Sequence, residues 1–152
     1  DVDKEDTIRR TRFMSLCFMV LSLAFLGVRE FRWALESPIL EALDGVLVSV
    51  LVGAMSSDRA ADWTLRVVNA AYAKQAKTVV IDVTGLSCID TAVADTILRT
   101  VRALKIIGGE CIMSGVRPEV AQTIVGLGVG SNGLTTVATL RQGLERAAVG
   151  AK

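Results

Sequence analysis

The run Val46–Val52 (VLVSVLV) most restricts what this chain can become. β-branched residues and leucine follow one another with hardly a polar break. Strands read this way when both faces of their sheet are covered, as in α/β folds with helices packed on the sheet. Before it, Ile39-Leu40-Glu41-Ala42-Leu43 and then Asp44-Gly45 read as the first arm and the turn of a hairpin. Asp-Gly suits a two-residue type I′ turn, where both central residues need φ > 0. Ser37-Pro38 marks the start of this region, because the residue before proline is pushed out of helix.

Three strand–helix units follow. A helix starting near Ser57 puts Ala60, Trp63, Val67 and Ala71 on one buried stripe. Thr78–Val83 (TVVIDV) is a short β-branched strand. A second helix starts at about Asp90, with Val93, Ile97, Val101 and Leu104 on its apolar stripe and Asp95, Arg99, Arg102 and Lys105 on the other face. It stops before Gly108-Gly109, which supply a left-handed terminus. Strand Glu110–Ser114 leads through Gly115 to a helix opening Arg117-Pro118-Glu119, where proline at the first position and an acid in the first turn suit a helix start. A short strand near Leu134–Val137 and a terminal helix, Thr139–Ala148, complete the chain. The order is a hairpin, then αβαβαβα. Right-handed crossovers turn it into an α/β fold, a mostly parallel sheet with one antiparallel strand and about four helices. This domain is expected over residues 38–150, with 1–37 a helical linker or apolar extension.

Composition narrows the function. A net charge of +1, with acids and bases scattered, lacks the concentrated basic face that nucleic acid requires. There is no histidine, which removes the commonest general base, the usual zinc-ligand sets and every Ser-His or Cys-His pairing. Cys17, Cys88 and Cys111 are odd in number and far apart, and read as small apolar residues in a reduced compartment. The glycine-rich stretch Gly126–Gly133 has no following Lys-Ser/Thr and comes after a helix, so it reads as a loop feeding the last strand, not a phosphate cradle. No metal, cofactor or catalytic set emerges, and a small α/β enzyme is the weakest of the rival readings.

The N-terminal region stands apart. Phe13–Val28 is sixteen residues without a charge, bracketed by Arg9, Arg10 and Arg12 before and Arg29 and Arg32 after. A spanning helix needs roughly 20 apolar residues. The expectation is a helix buried by self-association or against an upstream domain, with membrane contact the less favoured alternative. The first residue is Asp1, not Met, as in a fragment of a longer protein.

Function in such sheets usually sits on the loops at the carboxyl ends of the strands. The loop Thr84–Thr91 carries polar residues just where a helix begins. Asp90 suits an N-cap, and Thr91 then lies in the first turn, where a phosphate would meet amide donors and the positive end of the helix dipole. Locally, capping alone explains both residues. The loop Gly53–Asp58 offers Ser56 or Ser57 as a cap, with Asp58 favouring the first turn.

Thr78–Thr91 (TVVIDVTGLSCIDT), together with Gly115–Thr123 (GVRPEVAQT) and Leu140–Leu144 (LRQGL), resembles the STAS family. More narrowly it is similar to the C-terminal half of RsbR-type stressosome co-antagonists, over about Ser37–Ala148. The resemblance implies a non-catalytic cytoplasmic regulator. It would be phosphorylated by a dedicated serine/threonine kinase that also binds it, and would assemble with a smaller STAS paralogue and with itself. It also implies that Thr91 is the phosphorylated residue. In that family a second regulatory hydroxyl is expected at the start of the first helix, in a GTIDTERA pattern. This chain has GAMSSDRA over Gly53–Ala60, which puts Ser57 at that position and departs from the pattern at Ala54 and Ser56. Phe13–Leu35 holds the place of the helical linker to a sensory domain and is more apolar than a linker should be. Two rivals stay within the family: a free-standing anti-sigma-factor antagonist, and the STAS tail of a membrane anion transporter.

Overall fold

The computed structural model of the chain describes residues 37–128 and 134–150, which belong to one compact unit, Glu36–Lys152. The expected Phe13–Val28 helix, residues 1–36 of the expected extension and Cys17 lie outside the described residues.

β1 (Ile39–Leu43) and β2 (Val46–Ala54) pair antiparallel, and β3 (Thr78–Cys88), β4 (Glu110–Ser114) and β5 (Thr135–Val137) then add in parallel, in the order β1-β2-β3-β4-β5. α1 (Ser57–Ala73), α2 (Thr91–Ile106) and α3 (Pro118–Gly126) connect the parallel strands, and α4 (Leu140–Gly150) follows β5. The strand order never reverses, so crossovers of one hand must set their helices on one face. Burial agrees. Leu47, Leu51, Val79, Ile81, Cys111 and Met113 face α1 and α2, in one cluster with Trp63, Val67, Val93 and Ile97. Val46, Val48, Val80 and Ile112 point the other way, against Ala147, Leu140 and Leu144 of α4. The period-2 alternation of each strand feeds both layers, and this explains the unbroken apolar run in β2.

Each predicted helical stripe is buried: Ala60, Trp63, Val67 and Ala71 in α1, and Val93, Ile97, Val101 and Leu104 in α2. Trp63 is fully enclosed, and its indole Nε1–H donates to Ser49 Oγ on β2 at 2.7 Å, which satisfies the one polar side chain in that strand. α4 approaches the sheet through Gly143. A Cβ there would stand 2.9 Å from Val80 Cγ1 and 3.5 Å from Val137 Cγ2.

Three expectations need correction. The hairpin turn is not type I′: Gly45 has φ +72° but Asp44 does not have positive φ. One left-handed residue suffices because the β1–β2 register slips between Glu41 and Leu43, which absorbs the twist that a I′ turn would otherwise supply. β3 does not end at Val83. It continues to Cys88 because β2 also runs on to Ala54 and pairs with it through Val52↔Gly85, Gly53↔Leu86 and Ala54↔Cys88. Gly85 permits this approach, since a Cβ there would lie 2.7 Å from Val52 Cγ1. Finally, Cys88 is exposed, not packed as a small apolar residue, because it sits on this extension beyond the core. Cys111 is buried on β4, and burial pushes its thiol up to about 12, against a smaller opposing effect of the Lys105 ammonium.

Candidate functional site

A sheet whose order does not reverse lacks the switch point at which loops diverge to open a ligand crevice. Its carboxyl end instead presents a row of strand-to-helix loops on the surface. Ala54 and Cys88 are paired neighbours at the ends of β2 and β3. Three residues beyond each stands the first residue of the following helix, Ser57 on α1 and Thr91 on α2. The two hydroxyls therefore occupy equivalent positions on adjacent loops, and both residues are exposed.

Neither hydroxyl makes its helix's cap. Asp90, with extended backbone (φ −89°, ψ 174°), accepts the Val93 N–H at 2.8 Å. In α1 the cap is Ser56, whose Oγ accepts the Arg59 N–H at 3.4 Å, so of the two serines Ser56 is the cap and Ser57 stands free of that duty. The two positions differ electrostatically. α1 carries Asp58 in its first turn, whereas α2 has no acid there. A dianion at Ser57 meets the Asp58 carboxylate in the same turn; at Thr91 the nearby carboxylates are the capping Asp90 and, one turn on, Asp95, which is paired with Arg99.

Contacts that the sequence did not disclose hold these loops. Arg59 donates from Nη1 to the Ala54 carbonyl and from Nη2 to the Val52 carbonyl at 3.4 Å, tying α1 to the end of β2. Arg117, just before α3, donates from Nη2 to the carbonyls of Leu86 and, at 3.3 Å, Ser87. Behind them Asp82, buried at the end of the core part of β3, accepts at Oδ1 from Ser114 Oγ at 2.7 Å and from Thr84 Oγ1 at 2.8 Å. Arg117 and Asp82 both fall inside the motifs quoted for the family resemblance. That was the available signal, although no local pattern gave their partners.

The STAS domain model matches residues 37–143, most of the chain. The chain belongs to the STAS family. Among curated proteins of Bacillus subtilis (strain 168), it is 34% identical over 113 residues to the RsbT co-antagonist protein RsbRA and 34% identical over 110 residues to RsbRD. Those matches cover 74% and 72% of this chain but 41% and 40% of the relatives, so the chain spans about two-fifths of the length of the proteins it resembles. Among solved structures, RsbS of Moorella thermoacetica superposes with a TM-score of 0.66 at 22% identity, covering 76% of this chain and 97% of that one. The unphosphorylated anti-sigma factor antagonist SpoIIAA gives 0.63 at 18% identity, covering 74% of this chain and 96% of that one. At these identities the structures speak for the fold alone: the five strands and four helices of the described residues have the STAS arrangement.

Proposed function

We propose that this STAS unit is a non-catalytic partner-switching regulator of stressosome type. It binds a switch-type serine/threonine kinase and a smaller STAS paralogue, and phosphate on Thr91 changes which partner it holds. It works in the cytoplasm, in an oligomer that includes further copies of itself, and its output is control of a sigma factor or an equivalent signalling target. The observation that carries the reading is the position of Thr91. It is the exposed first residue of α2, outside the cap, at the functional end of a sheet whose one-third-identical relatives are RsbT co-antagonists. A phosphate there adds a dianion where the helix dipole favours one and where a partner can read it. Ser57, on the adjacent loop, is the accessory site that tunes the first through local electrostatics on the same partner surface.

The reading is tested by incubating the protein with its switch-type kinase and ATP and mapping the product by mass spectrometry. Phosphate on Thr91 is the expected result, and phosphate confined to other residues contradicts it. Ser57→Asp should alter kinase affinity, whereas identical binding by wild type, Ser57→Ala and Ser57→Asp removes the accessory role.

A further inference from the structure

β3 outruns β4. Their last pairing is Asp82↔Ser114, yet β3 continues to Cys88. β2 pairs this extension along one edge, through Gly85, Leu86 and Cys88. Along the other edge the ladder with β4 has ended, which leaves room for a side-chain donor. Arg117 supplies it: Nη2 has two hydrogens, and it reaches both the Leu86 and the Ser87 carbonyls across the gap that β4 leaves. We propose that Arg117 is the positioning residue of the Thr91 loop, its guanidinium holding two successive carbonyls at the end of β3 and fixing the backbone that leads into α2. The proposal rests on the reading of Thr91 as the phosphate acceptor.

The base from which Arg117 reaches is itself held. Gly115 has φ +70°, a conformation that favours glycine, and a Cβ there would fall 1.8 Å from Thr84 Oγ1, so the turn lies flat against the β3 extension. The Gly115 N–H donates to the Val137 carbonyl at 3.3 Å, and Val116 packs against the core. Ser114 and Thr84, one on each chain segment, share the Asp82 carboxylate. The turn after β4 and the extension of β3 are thus docked together beneath the arginine. A side chain anchored this way restricts the path from Leu86 to Asp90, and with it the place at which Thr91 is offered to a kinase. Without Arg117 the kinase must order that segment itself when it binds.

The test compares the full chain with Arg117→Ala and Arg117→Lys, by amide hydrogen exchange and by kinase kinetics at Thr91. Arg117→Ala is expected to speed exchange over Leu86–Val93 while Thr78–Asp82 stays slow, and to lower kcat/KM for Thr91 phosphorylation about tenfold, since ordering and orientation are lost. Arg117→Lys keeps the charge but not the reach or planar shape, so it should recover only part of either effect. Unchanged exchange in Arg117→Ala overturns the proposal. So does full kinetic rescue by lysine, which would assign the effect to charge recognition by the kinase. Wild type that takes no phosphate on Thr91 overturns the parent reading instead, and exchange over Leu86–Val93 then decides the anchoring by itself.

Discussion

At Asp90 the carboxylate accepts the Val93 N–H at 2.8 Å, so the cap of α2 is complete without the Thr91 hydroxyl. Two neighbours are thereby separated by role, and their substitutions should separate too. Asp90→Ala is expected to cost about 1 kcal/mol, the usual loss for a capping side chain. Thr91→Ala is an exposed change outside the cap and should stay within about 0.5 kcal/mol. Denaturant unfolding of the two variants checks the pair, and a Thr91→Ala loss as large as that of Asp90→Ala would show the hydroxyl to be part of the cap. The Asp90 cap was legible in the sequence, because an aspartate stood directly before an apolar helical stripe. The choice between Ser56 and Ser57 was not. Two adjacent serines have the same capping chemistry, and the phase of the helix start is set by how far β2 extends.

Elements whose partners lie close in sequence, or whose patterns are strongly periodic, were readable: α1 and α2 with their buried stripes, β4, and the proline-opened α3. Strand ends were not. Thr84–Cys88 reads as loop because it contains glycine, serine and threonine, yet it becomes strand once β2 supplies a ladder beside it. The same holds for Arg117, whose partners lie 31 and 30 residues earlier and leave no local trace. Gly143 shows a motif residue acquiring a physical reason. It is a buried helical glycine, normally unfavourable by up to about 1 kcal/mol relative to alanine. Here it lets α4 close on Val80 and Val137, with no room for a Cβ at 2.9 Å from a stiff valine methyl. Gly143→Ala is therefore expected to destabilise by about 1–3 kcal/mol through overpacking, despite the gain in helix propensity. Thermal unfolding checks it, and a stabilised Gly143→Ala protein would mean that α4 shifts away from the sheet at little cost.

Across the whole unit, one choice of strand order has functional consequences. A sheet that grows in one direction from its hairpin carries α1, α2 and α3 on one face and α4 on the other, and its carboxyl end is a row of neighbouring loops. That end presents two exposed hydroxyl residues in equivalent positions, each at the start of a helix; Arg59 bonds the end of β2, and Arg117, from the turn after β4, bonds the end of β3. On the function proposed above, this is the surface that another protein reads and phosphate is the change that alters it. On this proposal, phosphate on Thr91 switches partners. The direct measurement is the native mass of the complex formed with the switch-type kinase and the smaller STAS paralogue, before and after ATP, for wild type and for Thr91→Ala. ATP is expected to release the kinase from the wild-type complex and to leave it bound to Thr91→Ala. Release from both, or retention by both, would contradict it.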